Sequence, residues 1–492
     1  MATFNLVRNS RVFFTTNVNS SGKVGRNNAD SADVAFTVAN SQELQVLDGF
    51  TFSQATNADT VTISEAGATP TRGQRSFNTS LGTVDFSFST YMRPRLASTL
   101  VKCEESPLWN ALLSNTALGT AAAFTATGIT SASTTLVGSL LTIAGSAMTV
   151  TGLAVGDVVV VKGVVGAGAS QFNTGIKIVS VTGTTITANY LVTPTAAIVT
   201  ANWTTAVTFN KTAWNEHVAI AADTTGIITA YSEVTSALSN RNTLLTFGMI
   251  MTIDGVTYAI DNCALDQAVI DFGLDGIAMV AWTGKGTALR QLSTNVTYSA
   301  SGATEVLSGG LTGTIAGKNT TAGFITNKLS TVTLVSNIGG ASGTAYTLAL
   351  TGGSITIANG ITYVTPANLG VVNQPVGYYT GTRAVTGSIT AYLRTGSTNT
   401  AGLLSTLLAA APTTAGVEPK FKLQVEIGGA TAATRIEAQI DGAMIQIPTI
   451  DAQAVMSTTI NFTAQGSSSV QADNIYDIEN TNDIEIRYFS AA

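Results

Sequence analysis

Ser87-Phe88-Ser89-Thr90-Tyr91-Met92-Arg93 returns 301 positions later as Ser388-Ile389-Thr390-Ala391-Tyr392-Leu393-Arg394, each position identical or similar except Thr90 and Ala391. Large and small residues alternate in both, the period of a strand with one buried face. On this reading Tyr91 and Tyr392 sit in a packed sheet, where a charge would be costly. Each strand leads to a short apolar helix signal: Leu108-Trp109-Asn110-Ala111-Leu112-Leu113 after Pro107, and Leu403-Leu404-Ser405-Thr406-Leu407-Leu408. Leu108, Leu112 and Leu113 are expected on one helical face, as are Leu403, Leu407 and Leu408.

A second block repeats at an offset of 180. Ile260-Asp261 and Ile270-Asp271, followed by Trp282-Thr283-Gly284-Lys285-Gly286, align without a gap with Ile440-Asp441, Ile450-Asp451 and Phe462-Thr463-Ala464-Gln465-Gly466. The fall from 301 to 180 means that the first copy carries 121 extra residues between its tyrosine strand and its tryptophan strand. Further out, Ser10-Arg11-Val12-Phe13-Phe14 resembles Ser330-Thr331-Val332-Thr333-Leu334 and opens each copy. The expected organisation is a discontinuous first unit (1–115 plus 241–300), an inserted β domain (116–240), a linker rich in Ser, Gly, Thr and Ala (301–322) and a second unit (323–492). Within the insertion, segments such as 157–161, 176–181 and 185–188 read as strands between glycine-containing turns. Asp473 to Tyr488 reads as an exposed acidic end.

Composition agrees with an all-β chain of several domains. Of 492 residues only 11% are charged and 45% are hydrophobic, with 47 Gly and 9 Pro; a soluble protein averages roughly 25% charged. So little charge leaves a lone chain short of polar surface, and burial against other copies of itself accounts for it. The most apolar stretch, 152–167, is broken by Asp157 and Lys162 and is too short to span a bilayer. The opening Met1-Ala2-Thr3-Phe4-Asn5-Leu6 has no basic region ahead of an apolar one, so no secretory signal is expected there. Net charge is −6 with no Lys/Arg run, which disfavours tight binding of nucleic acid but not its confinement.

Catalytic constellations are scarce. His217 is the only histidine, and the cysteines, Cys103 and Cys263, are 160 positions apart, so neither a histidine-assisted nucleophile nor a zinc site has support. Gly284-Lys285-Gly286-Thr287 fails the phosphate-loop pattern, reading instead as a turn after a strand. The carboxylates Asp271 and Asp275 imitate an acid–base pair, but Asp271 is matched by Asp451 and Asp261 by Asp441, which points to structural positions. The expectation is no catalytic, cofactor-binding or metal-binding residue.

The order of a strand ending in Tyr91-Met92-Arg93-Pro94, the helix segment Leu108 to Leu113, and strands leading to Trp282-Thr283-Gly284-Lys285-Gly286 resembles the tail tube proteins of long-tailed bacteriophages, in particular their double-domain variant. The resemblance covers both copies, about two thirds of the chain, and leaves out the insertion. It implies two β-sandwich units with a flanking helix, assembled as trimeric, pseudo-sixfold rings. These would stack into a tube in the virion, built in the host cytoplasm, without membrane. It also implies other tail proteins as partners (tape measure, tail terminator, tail tip or baseplate) and genomic DNA passing through without specific binding. The insertion is similar to a small β-barrel or Ig-like module. Gly387 stands where copy one has Phe86, so the two copies are not expected to pack alike there. The competing reading is a β adhesin or carbohydrate-binding surface protein, which calls for a secretion signal and exposed aromatic platforms.

Overall fold

A computed structural model describes chiefly residues 10–16, 41–64, 72–116, 127–217, 230–292, 324–336, 343–413, 420–465 and 483–490, with short interruptions. The expected linker, 301–322, lies outside the described residues. Strands dominate. Copy one runs through β1 (Ser10–Thr15), β2 (Ser41–Leu44), β3 (Thr51–Ser64), β4 (Arg72–Tyr91), a hairpin of β5 (Arg95–Ala97) and β6 (Leu100–Lys102), and helix α1 (Ser106–Leu113). There follow β7 (Thr127–Val137), β8 (Leu140–Thr149), β9 (Val158–Lys162), the single turn α2 (Ala169–Phe172), β10 (Gly175–Val181), β11 (Thr185–Tyr190), β12 (Thr208–Asn210), β13 (Trp214–His217) and β14 (Ala230–Thr235). Copy one then resumes with β15 (Phe247–Ile253), β16 (Val256–Asp271), β17 (Met279–Gly286) and β18 (Ala288–Leu292).

Copy two comprises β19 (Thr331–Ser336), β20 (Ala345–Thr347), β21 (Leu350–Ala358), an arm of β22 (Thr362–Val364) and β23 (Gly377–Tyr379), β24 (Ala384–Tyr392) and α3 (Thr400–Ala410). It ends with β25 (Lys420–Ile427), β26 (Arg435–Ile445), β27 (Thr449–Asp451), β28 (Ser457–Gln465) and β29 (Glu485–Ser490).

The pairing registers repeat. Val12 faces Met251, which faces Tyr258; in copy two Val332 faces Val425, which faces Ala438. Even the register irregularity recurs, between Phe247 and Met249 and between Phe421 and Leu423. One alignment changes. Gly284 faces Phe86 and Leu265, whereas Phe462 faces Gly387 and Ile445, so Phe462 is the counterpart of Gly284 rather than of Trp282. The cause is a shorter turn: Asp271 faces Met279 but Asp451 faces Ser457, two residues closer. A slip of two keeps every side chain on its own face, so alternation cannot reveal it.

That correction also settles the packing at Gly387. A Cβ on Gly284 would lie 2.3 Å from Phe86 Cζ, and one on Gly387 would lie 2.4 Å from Phe462 Cζ. In each copy a phenylalanine ring covers a glycine on the neighbouring strand, and between copies ring and glycine have exchanged strands. The same space is filled from opposite sides.

Eight strands join in the order β3, β4, β17, β16, β21, β24, β28, β27, four from each copy. The first half of β16 instead pairs with β15 and β18, so this strand passes between two sheets. The buried faces, with α1 and α3, enclose one apolar core. All eight residues of α1 are buried, more than a one-sided helix would show. In α3, Thr400, Leu403, Leu407 and Ala410 are buried, but Leu408 is 53% exposed, contrary to expectation. The tyrosines likewise differ. Phe86, Phe88, Thr90 and Met92 form the buried face of copy one, and alternation turns Tyr91 the other way; Tyr392 is 43% exposed.

The inserted strands form a separate antiparallel sheet, ordered β12, β9, β10, β11, β8, β7, with its own core around Trp203, Phe172 and Tyr190. Two strands of the 116–240 span do not join it: β13 pairs with β14, and β14 with β29 of copy two. β29 is a central strand between β14 and β26, with Ile486 and Tyr488 fully buried, so this part of the acidic end is core rather than exposed. The acids at 473–482 lie outside the described residues.

Candidate assembly surface

The residues with chemical potential lie in strands, turns and the core. His217 occupies β13 opposite Tyr231. Cys103 and Cys263 are buried free thiols, and loss of hydration pushes both well above the ordinary thiol range, away from reactive thiolate. Gly284-Lys285-Gly286 is not a turn but the end of β17, with Lys285 opposite Asp85 on β4 and Ala264 on β16. Glycine is required at 286 because a Cβ there would meet Ile260 Cγ2 at 2.4 Å. Asp261 holds Arg290 through both carboxylate oxygens, at 2.5 and 2.8 Å. Asp271 accepts the Gly273 N–H at 3.0 Å in a turn where Asp275 is exposed. Among the described residues no group of three or more His, Cys, Asp or Glu gathers as metal ligands. No helix among them is long and apolar enough to cross a membrane.

Buried acids, which the sequence reading missed, cluster where α1 meets copy two. Burial pushes Glu105 up to about 8, with the neighbouring Glu104 charge adding to the effect. The Cys103 thiol and Tyr488 hydroxyl lie beside it, but neither carboxyl oxygen accepts a hydrogen bond of good geometry. Glu104 instead pairs with Arg93 at 2.5 Å. Glu233 on β14 is pushed up to about 7 by burial, against the pull of Arg487 and Lys162. Aromatic side chains fasten the copies together here: Trp109 Nε1 donates to Tyr488 Oη at 2.6 Å while its ring packs on Trp282 at 4.7 Å.

The copies are also joined edge to edge. β16 and β21 pair over Gln267–Ala358, Ala268–Ile357, Val269–Thr356, Ile270–Ile355 and Asp271–Ser354, burying Ile270 and Ile355 completely. The copy-two arm folds over copy one. Tyr363 Oη donates to the Asn262 and Lys285 carbonyls at 2.6 and 2.8 Å, Tyr378 Oη to that of Leu244 at 2.8 Å, and Asn359 Nδ2 to that of Leu112 at 2.8 Å.

Across the eight strands, one face is apolar and the other carries hydroxyl and small groups. A single row on the buried side runs Thr90, Val280, Ile270, Ile355, Gly387, Phe462. The opposite face holds the row Ser89, Ala281, Val269, Thr356, Thr386, Thr463. Where the eight strands pair with one another the charged residues are Asp59, Asp85, Asp266, Asp271 and Asp451 against Arg72, Arg75 and Lys285, five acids and three bases, with Lys285 set opposite Asp85. At either end of the sheet, the outer edges of β3 and β27 have no strand partner among the described residues. Large apolar side chains stand exposed beside the second of these, Ile447 at 50%, Ile450 at 44% and Met456 at 50%.

A duplicated all-β framework, whose acids and glycines serve packing and whose sheet stops at open, partly apolar edges, is the design of a structural protein. The chain is 24% identical over 486 residues to the tail tube protein pb6 of Escherichia phage T5, covering 96% of this chain and 75% of that one. No protein-family model matches. The likeness to that phage tail tube protein thus spans both copies and the insertion.

Proposed function

We propose that the chain builds the wall of a phage tail tube: copies close into rings of three chains, six repeated units, and the rings stack around a channel for the genome. The observation that carries this reading is the eight-strand sheet, to which each copy gives four strands in one repeated register and which ends in two open edges. A continuing series of like edges ends only by closure. The hydroxyl-rich face lines the channel. With few charges, and with its Lys285 set opposite Asp85, it offers DNA phosphates little net positive charge to displace their counterions, so the genome slides rather than sticks. Partners are other copies of the chain and the proteins that cap and fill the tail; the role is structural, without catalysis or cofactor. The two tube units are 1–115 with 241–300, and 323–492, and the separate six-stranded sheet decorates the outside. Negative-stain microscopy of the purified protein tests this: hollow rings or tubes are expected, and a monodisperse monomer at high concentration would favour a β adhesin.

A further inference from the structure

The repeated registers point to how one chain meets the next. Every strand of the β16–β21 junction has a counterpart. Ile270 on β16 corresponds to Ile450 on β27, since Ile270 faces Val280 and Ile450 faces Thr458 in the matched pairs. Ile355 on β21 corresponds to Phe52 on β3, since Ile355 faces Gly387 and Phe52 faces Phe86. The burial does not match. Ile270 is fully covered by β21, whereas Ile450, the same residue at the same register position, is 44% exposed; Ala278 is fully buried and its counterpart Met456 is 50% exposed. The copy-one edge is occupied within the chain, and the equivalent copy-two edge is bare.

The arms show the same asymmetry. The copy-two arm lies on copy one, held by Tyr363 and Tyr378. The corresponding copy-one arm, the outer part of the β3–β4 hairpin, leaves Val61 at 46% and Phe77 at 52% exposure. One operation that moves copy one onto copy two, applied again, supplies both missing contacts from a second chain.

We infer that β27 of one chain pairs antiparallel with the outer edge of β3 of a second copy, Ile450 opposite Phe52 and Thr449 opposite Ser53, while the second copy's β3–β4 arm lies over copy two of the first. This rests on the tube reading and adds the interface residues and their register. The alternation of hydrogen bonds carries over as well. Phe272 N–H donates to the Gly353 carbonyl and Asn359 N–H to that of Asp266, so Val269 and Thr356 form a non-hydrogen-bonded pair, as do their counterparts Thr449 and Ser53. Cβ atoms approach most closely at such pairs. Pro448 stands at the Ala268 position, so the new ladder has one donor fewer than the internal one.

Cysteines at these positions test the register in the full-length protein, whose own Cys103 and Cys263 are buried and contribute little background. Ser53→Cys with Thr449→Cys should cross-link between chains on mild oxidation at least tenfold faster than Ser53→Cys with Asp451→Cys, two residues out of register. Ile450→Asp should leave the unfolding midpoint of the isolated chain unchanged and raise the concentration needed for assembly at least tenfold by sedimentation. If wild-type tubes form but the in-register pair is no faster, or Ile450→Asp assembles normally, the inferred interface is wrong and the tube reading stands. A wild-type chain that stays monomeric at high concentration overturns both.

Discussion

Glu105 shows what a buried acid does when no cation reaches it. Its carboxyl titrates near 8 in the folded chain against 4.5 for the unfolded group. Between those values the folded chain holds a proton that the unfolded chain has released, so stability falls as pH rises through that window and is lowest above it. Glu105→Gln should make this slope shallower, leaving the part that the buried Glu233 contributes: relative to wild type, it gains a few kcal/mol in urea unfolding at pH 9 compared with pH 5. Parallel slopes in the two proteins would remove Glu105 as the cause. The exchanged ring and glycine make a second residue-scale prediction. Phe86→Gly empties the space over Gly284 and should cost about 3–5 kcal/mol; Gly284→Phe alone overfills it, since a Cβ already lies 2.3 Å from the ring. The double variant recreates the copy-two arrangement and should be more stable than the sum of the single effects by about 2–3 kcal/mol in a double-mutant cycle. Additivity would mean that the two copies reached their packing independently.

At the level of elements, helix α3 gives the clearest test of which face is covered. Leu403 is fully buried and Leu408 is 53% exposed. Leu403→Ala should cost about 2–5 kcal/mol and Leu408→Ala less than about 0.5, read from urea midpoints; equal costs would mean that the helix is rotated. Spacing alone put both leucines on one side because four leucines within the six positions 403–408 fit more than one stripe. The strands were legible for the opposite reason. A two-residue period tolerates no intermediate orientation, so the tyrosine strands, β16 with β26, and even the weak match of β1 with β19 could be found from pattern. What pattern could not supply was parity-preserving loss: the turn before β28 dropped two residues and shifted Phe462 onto the Gly284 position without disturbing a single face. Nor could it assign β14, whose partner β29 lies more than 240 positions away and was mistaken for an exposed acidic tail. A strand's sequence states that it needs a partner, not which one.

For the whole molecule, the open edges were foreshadowed by low charge, but their positions depended on comparing two burial states of the same residue, information that exists only in three dimensions. The insertion is the converse case, visible from offset arithmetic alone and nearly self-contained in space. Its sheet has a separate core, and the chain enters and leaves it at one point, where Ser114 Oγ donates to the Lys211 carbonyl at 3.0 Å and the Ala213 N–H donates to Asn110 Oδ1 at 2.9 Å. Ends held this close can be rejoined with little backbone distortion. The contacts that would be lost with it include the Asp157–Lys211 pair at 2.7 Å, the attraction of Lys162 to Glu216 and to the buried Glu233, and the packing of β9 against β13. The Asp157–Lys211 and Lys162–Glu216 attractions join partly exposed groups and should together amount to no more than about 2 kcal/mol. Lys162 matters to the buried Glu233 only above the pH at which Glu233 ionises. Replacing residues 117–210 by a Gly-Ser pair should therefore leave a chain that unfolds cooperatively within about 5 °C of the wild-type main transition and assembles at the wild-type concentration, as followed by calorimetry and sedimentation. Loss of cooperativity would show that the six-stranded sheet braces α1 and β13, and loss of assembly alone would move that sheet from the outside of the tube into the contacts between chains.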